Sequence, residues 1–429
     1  MLRLYTFLLY LALPWVLLRV WWRGFSVPGS RRHWRERLGY VAGASGETSP
    51  VWLHAVSVGE VRAAAPLIDA LLQADPHMSL LVTTTTPTGR ETVTRLFGGR
   101  VRQAYLPWDL PCAIRRFLVR VRPVKVIVME TELWPNLFHT LKQRGIPLYL
   151  VNARLSDTSL RGYRRVPSLV HKTLACVTGI AAQSETDAER FVEIGAAAQQ
   201  VIQAGNLKYE INLPSDYEHR LEALRQRYSG REPVWIAAST HPGEERMALA
   251  AHEQLLERYP ESLLLLVPRH PERAAEVAAL CQRAGMAGAL YSALEGDGTD
   301  QLLNTSQVVV VDVLGELAYL YGLAGVALIG GSLVPHGGHN PLEALQADCA
   351  VITGGHTGNF ADIYCQLEAV TAVTRIKTGE LLAETIEGLF NDSALRAQQL
   401  AAGRQVLNAN RGALAQVKAL LETEGCPPV

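Results

Sequence analysis

Short apolar runs alternate with longer amphipathic segments through most of the chain, a rhythm that predicts repeated strand–helix units. In the first half the strand-like runs are 51–56, 80–84, 101–106, 124–129, 148–152, 179–182 and 201–204, with a helix from about 61 to 73 after the first. A polar, charged stretch from Ile211 to Pro233 follows, with a helical pattern over 216–228 that places a domain join near Pro214. The rhythm then restarts at 234–238, 263–267, 308–311, 325–329 and 350–353. Such alternation predicts an α/β fold of two parallel sheets wrapped by helices, with ligands outside the carboxyl ends of the strands.

Those ends are where the polar residues gather. Ser57-Val58-Gly59-Glu60 closes the first run and Glu130-Thr131-Glu132 the fourth. Glu60, Glu130 and Glu132 on one rim offer a general base with supporting carboxylates, whose burial and like charge raise a pKa. Glu60 also fits as a first-turn acid favoured by the helix dipole. In the second half, Pro268-Arg269-His270 and Val311-Asp312-Val313 end two runs, and 325–329 breaks into Gly330-Gly331 before Gly337-Gly338-His339-Asn340-Pro341-Leu342-Glu343. Asn340 is placed to cap a helix beginning at Pro341. A glycine loop and a helix N-terminus cradle an anion, and Glu343 in the first turn accepts hydrogen bonds from sugar hydroxyls, which together suggest a nucleotide site. The same pattern fits an ordinary strand–helix turn with glycines for packing. Arg269 and Lys208 are candidates to neutralise phosphate or carboxylate, although Lys208 also reads as a solvated linker lysine. His270 and His339 lack a two-histidine-plus-carboxylate spacing, so hydrogen bonding rather than a metal is expected of them.

The N-terminus departs from the rest. Residues 4–18 are uncharged and rich in Leu, Tyr and Trp, short of the roughly 20 residues a helix needs to cross a bilayer. No small-residue cleavage site follows, which argues against a removed signal peptide. Trp15, Trp21 and Trp22 interleave with Arg19 and Arg23, and Arg3, Arg31, Arg32, Arg35 and Arg37 add charge against a single acid, Glu36. Indoles and guanidiniums suit the headgroup boundary, so membrane association with the basic flank in the cytoplasm is expected, by a short span or an in-plane anchor.

Composition narrows the classes. At 429 residues and 48% hydrophobic content the chain suits two globular domains rather than extensive disorder. Lys+Arg and Asp+Glu both number 41, so no global field holds nucleic acid, and no nucleic-acid motif appears. The six cysteines are scattered without a CxxC, a pattern of reduced thiols in the cytosol.

Taken in order, the motifs resemble one family along essentially the whole chain. They are His54-Ala55-Val56-Ser57-Val58-Gly59-Glu60, Thr86-Pro87-Thr88-Gly89, Tyr105-Leu106-Pro107-Trp108-Asp109, Met129-Glu130-Thr131-Glu132-Leu133-Trp134-Pro135-Asn136, Asn152-Ala153-Arg154-Leu155-Ser156, Ser239-Thr240-His241, Pro268-Arg269-His270-Pro271, Gly337 to Ala344, and His356-Thr357-Gly358-Asn359-Phe360. The chain resembles the 3-deoxy-D-manno-octulosonic acid (Kdo) transferases of lipopolysaccharide assembly. The resemblance implies a GT-B glycosyltransferase, two Rossmann-like domains facing a cleft behind an N-terminal membrane-anchoring segment. By residue the expected plan is a membrane-associated arm (1–46), an acceptor-side domain (47–213) and a donor domain (214–429). It implies an inverting transfer of Kdo from CMP-Kdo to a lipid A precursor (lipid IVA), at the cytoplasmic face of the inner membrane, without a separate cofactor. Carried over by position, the general base falls on Glu60, with Glu130 and Lys208 beside it. CMP-Kdo contacts fall on Pro268, Arg269, Val311, Asp312, Val313, Gly337, Gly338, His339, Asn340 and Glu343. Gly355 stands where the family usually has proline, loosening a loop near the donor, and Asn206 where serine is common. A sugar-nucleotide epimerase or hydrolase of the same fold, and a membrane-tethered nucleotide-binding module without turnover, are the alternatives.

Overall fold

A computed structural model describes residues 1–26, 33–43, 49–211, 213–294 and 300–422. Arg31, Arg32, Cys426 and the expected boundary at 46/47 lie outside the described residues, as do the side chains of Arg19, Trp21 and Arg23. The chain divides into two compact units, Met1–Glu210 with Asn410–Val429, and Ile211–Ala409.

In the first unit the strands are β1 (Val51–His54), β2 (Leu80–Thr84), β3 (Arg102–Tyr105), β4 (Lys125–Met129), β5 (Leu148–Ala153), β6 (Gly179–Ala182) and β7 (Val201–Gln203). They form a seven-stranded sheet in the order β3-β2-β1-β4-β5-β6-β7, every pairing parallel. Alternate residues feed two cores. Trp52, Val126, Val128 and Leu150 pack into one cluster, and Leu53, Ile127, Met129 and Val151 into another. That period of two, with both faces covered, explains why β1, β4 and β5 are apolar almost throughout.

The second unit repeats the plan with β8 (Val234–Thr240), β9 (Leu263–Pro268), β10 (Gly288–Leu290), β11 (Val308–Val310), β12 (Val326–Ile329), β13 (Ala350–Thr353) and β14 (Val373–Arg375). Its parallel order is β10-β11-β9-β8-β12-β13-β14. Strand order reverses between β1 and β4 in one sheet and between β8 and β12 in the other. At such switch points the flanking loops diverge and open a crevice at the carboxyl ends of the strands, the usual ligand position in open α/β sheets.

Three expectations are corrected. The helix Ala413–Glu422 belongs with the first unit, not the second, because Ala413, Val417 and Leu421 are buried in the cluster that holds Leu53 and Ile127. Residues 33–43 likewise are not a separate arm. Glu36 Oε2 accepts the Arg90 guanidinium at 2.6 Å and the Tyr105 N–H at 2.8 Å, and Arg37 donates to the Thr85 carbonyl at 2.7 Å while lying 4.4 Å over the Tyr105 ring. Arg37 is therefore consumed by internal packing. The helix after the glycine loop runs only from Leu342 to Gln346, with Pro341 at its cap position, so its dipole is that of a little over one turn.

Candidate active site

In the first unit, Glu60 sits in the opening turn of the helix Val58–Ala74, directly after β1. Its Oε2 accepts the Val56 N–H at 2.8 Å and its Oε1 the Ser57 hydroxyl at 3.3 Å. No ion pair involves it among the described residues. Burial pushes its pKa up to about 7, with Glu130 and Glu132 adding to the rise and the Val56 and Ser57 donors opposing it. Burial also raises Glu132, which Trp134 opposes and Glu130 reinforces. The result is a carboxylate fixed in place, yet able to take up a proton near neutrality.

Glu130 ends β4, the strand beside β1, in a left-handed backbone conformation with φ 55°. Its Oε1 lies 3.6 Å from Lys208 Nζ. Lys208 is held from two sides. Asn152, at φ 53° on β5, is buried and accepts the Leu207 N–H at 2.9 Å, and Asn206 accepts the Lys208 N–H at 2.9 Å. Asn206 thus performs the local capping that a serine performs through its hydroxyl. The structure therefore gathers Glu60, Glu130 and Lys208 around one switch point.

In the second unit, the loops after β8 and β12 meet at the other switch point. Gly330 passes so close to β8 that a Cβ there would lie 2.3 Å from the Ser239 carbonyl oxygen. Gly338, at φ 71°, donates to the Gly331 carbonyl at 2.7 Å, and a Cβ on it would lie 2.9 Å from the His356 carbonyl oxygen. These glycines are required by the close backbone approach. Gly337 accepts the Asn359 N–H at 2.8 Å, closing the loop against the segment after β13.

His339 Nε2 lies 2.9 Å from His241 Nε2, and the His241 ring stacks on His336 with centroids 4.0 Å apart. Burial, then the charges of His336, Arg269, His270 and Arg273, hold His241 down to about 4. His241 is therefore neutral at physiological pH and adds a hydrogen-bonding group to the loop rather than charge. Pro268 ends β9 beside Thr240, and Arg269 donates its N–H to the Thr240 carbonyl at 2.9 Å, which brings the arginine to the same rim. Asn340 Oδ1 accepts the Leu342 N–H at 3.1 Å across Pro341, but Pro341 holds the cap position, so Asn340 stands one residue ahead of the cap expected of it. Glu343 is half-buried in that helix and, after burial itself, helps to raise the Tyr321 hydroxyl. Asp312 is placed differently from the other donor candidates. Both its oxygens engage Ser292, through the N–H at 2.9 Å and the hydroxyl at 2.5 Å. Val311 donates its N–H to the Leu266 carbonyl, and Val313 is half-buried after β11.

One organising residue is not apparent from the sequence. Glu244, fully buried at the start of the helix Glu244–Arg258, accepts the N–H groups of His241 (3.0 Å), Gly331 (2.7 Å), Ser332 (3.1 Å) and Leu333 (3.0 Å). It joins the two switch-point loops and fills the backbone concavity at Gly331–Leu333 with the protein's own carboxylate. Next to it, the buried Glu245 pairs with Arg273 at 2.7 Å. Only the return of the β12 loop reveals what Glu244 binds.

The helix Leu2–Ser26 docks on the first unit through Tyr5, which hydrogen-bonds the buried Asp109, and Thr6, whose hydroxyl lies 2.7 Å from Asn136 Oδ1. Among the described residues no helix is long and apolar enough to cross a membrane.

Comparison with known proteins follows this geometry. Residues 32–211 match the family model for 3-deoxy-D-manno-octulosonic-acid transferase (kdotransferase). The chain is 41% identical over 421 residues to the 3-deoxy-D-manno-octulosonic acid transferase of Haemophilus influenzae, covering 97% of each chain. It is 38% identical to that of Bordetella pertussis over 87% of each. Among solved structures, UDP-GlcNAc 2-epimerase from Neisseria meningitidis, bound to UDP-GlcNAc, superimposes with a TM-score of 0.54 at 15% identity, covering 87% of this chain and 100% of that one. This last likeness bears on fold alone: two Rossmann-like domains of the GT-B kind.

Proposed function

The chain belongs to the 3-deoxy-D-manno-octulosonic acid transferase family and is a glycosyltransferase of lipopolysaccharide synthesis, and from that premise we propose an inverting transfer of Kdo from CMP-Kdo to a lipid A precursor, lipid IVA. The observation that carries the chemistry is Glu60, a carboxylate anchored by Val56 and Ser57 at a switch point with its pKa pushed up to about 7. In its ionised form it removes the proton from a glucosamine hydroxyl as that oxygen attacks the anomeric carbon of Kdo. CMP leaves from the opposite face, which inverts the configuration. The transition state is oxocarbenium-like, and the Kdo carboxylate stands beside the reacting carbon. Stabilising negative charge on the departing phosphate is therefore the main electrostatic need. Lys208, 3.6 Å from Glu130, supplies a cation near the base. Arg269, the glycine loop Gly337–Gly338 and the His241–His339 pair supply donors for CMP.

For the N-terminal helix we propose association with the cytoplasmic face of the inner membrane. What supports this is the spacing of Leu4, Leu8, Leu11, Trp15, Leu18 and Trp22, all more than half exposed on one helical stripe.

Incubation with CMP-Kdo and a tetra-acylated lipid A precursor, followed by mass analysis of the lipid, tests the reaction. The expected product is heavier by Kdo, with inverted anomeric configuration by NMR. Release of free Kdo without lipid modification indicates a hydrolase, and CMP binding without turnover a non-catalytic module. Either outcome overturns the proposal.

A further inference from the structure

A cavity of ≈ 440 Å³ opens where the first turns of the helix Leu2–Ser26 meet the helices Pro111–Val121 and Pro135–Gln143. Arg3, Arg115 and Arg144 line it together with His139, Thr140 and Thr6. No Asp or Glu contributes to its wall. All three arginines are exposed, and among the described residues none of them takes part in an ion pair. Exposed arginines such as Arg95 and Arg122 also lack a carboxylate partner among the described residues, so what sets Arg3, Arg115 and Arg144 apart is the one concave wall they share. Three guanidinium side chains on one concave wall without a carboxylate suit the charge of a phosphate, which arginine can bind through two N–H groups at once.

Position decides between a soluble anion and a lipid. The helix that contributes Leu2, Arg3 and Thr6 to the cavity also carries the exposed stripe Leu4, Leu8, Leu11, Trp15, Leu18 and Trp22. Its other face is pinned to the protein by Tyr5 on Asp109, Thr6 on Asn136, and the Tyr10 hydroxyl 3.2 Å from Cys112 Sγ. The cavity and the apolar stripe thus belong to one helix docked through its first turns, the pairing that a lipid with a charged head and apolar tails requires. We propose that this cavity is a docking site for the phosphate of an anionic lipid headgroup, with the stripe seated among the neighbouring acyl chains. This rests on the membrane association proposed above and adds to it a defined headgroup pocket, distinct from diffuse attraction.

Vesicle flotation of the full-length protein tests it, using phosphatidylcholine alone and phosphatidylcholine mixed with phosphatidylglycerol. The wild type is expected to bind both and to prefer the anionic mixture. R115Q/R144Q is expected to keep its binding to the neutral vesicles and to lose at least about tenfold of the anionic preference, since each basic residue at an anionic surface contributes severalfold. R95Q/R122Q, with the same net charge and both substitutions on exposed arginines outside the cavity, is expected to behave as wild type. Equal losses in the two variants, or none in R115Q/R144Q, overturn the pocket while leaving membrane association intact. Failure of the wild type to bind either vesicle overturns the membrane reading itself. If inorganic phosphate binds the wild type but not R115Q/R144Q, and both bind vesicles alike, the cavity is a free-anion site and the lipid assignment falls.

Discussion

The carboxylate of Glu60 accepts the backbone N–H of Val56 at 2.8 Å, reaching back four residues across the turn that leaves β1. Val56 is thereby kept from extending the strand, and the acid is held at the crevice rather than along the helix surface. Glu60→Ala is expected to lower transfer by about 10²–10⁴-fold, the usual contribution of a positioned base, while CMP affinity stays near that of the wild type. Steady-state rates and calorimetric titration with CMP measure the two separately. Transfer within a few-fold of wild type would remove Glu60 from the mechanism.

The pH dependence follows from the same group. Glu60 must be ionised to act as a base, so kcat/KM should rise with pH through about 7 and level off above it. For stability the sign is opposite. The folded-state pKa lies above the ordinary carboxylate value, so the contribution is complete below that ordinary value and is lost as pH rises through about 7. Glu60→Gln, which cannot ionise, should therefore gain on the order of 1–2 kcal/mol relative to wild type at pH 8 and little at pH 5, read from denaturant midpoints. An equal change at both pH values would show that the carboxyl is not perturbed.

Glu130 acts on Glu60 through charge. Glu130→Gln should shift the acidic limb of the rate profile to lower pH, because one of the charges that raises Glu60 is removed. Lys208→Ala removes a cation whose partly exposed pairing with Glu130 at 3.6 Å is worth about 0–1 kcal/mol to stability. Its Tm should hardly move while transfer falls severely. A drop in Tm that matches the lost activity would make the lysine structural only.

Glu244→Ala leaves four N–H groups without their acceptor, those of Gly331 and Ser332 buried and those of His241 and Leu333 partly so, and each buried unsatisfied donor costs about 1–3 kcal/mol before relaxation. A loss of at least about 3 kcal/mol is expected in the second unit, accompanied by loss of CMP binding. Glu244→Gln should be intermediate, since its amide NH2 confronts backbone donors. A variant with wild-type Tm and wild-type CMP affinity would contradict the arrangement.

Much of this was legible in the order of residues. Central strands such as Val126–Met129 and Leu263–Leu266 are buried on both faces, and that burial demands uninterrupted apolar runs that are easy to see. The three-residue edge strands Gly288–Leu290 and Val373–Arg375 escape detection because an edge makes only half the contacts and imposes little pattern. Glu60, Glu130 and Lys208 were recoverable as polar punctuation after strands. Their convergence depends on the strand order around β1 and β4, which no local pattern carries. The engagement of Asp312 by Ser292, and three of the four donors on Glu244, arise from segments 20 and more than 80 residues apart in the chain. Side chains that serve distant loops look like ordinary surface acids until those loops return.

Because the helix Ala413–Glu422 packs Val417 and Leu421 into the core of the unit that begins at the N-terminus, that unit is the last to be completed during synthesis. Some two hundred residues of the other unit leave the ribosome before the final helix can seal the interior beside Leu53 and Ile127. Loss of the helix Ala413–Glu422 should therefore damage the unit that carries Glu60, about 350 residues earlier in the chain.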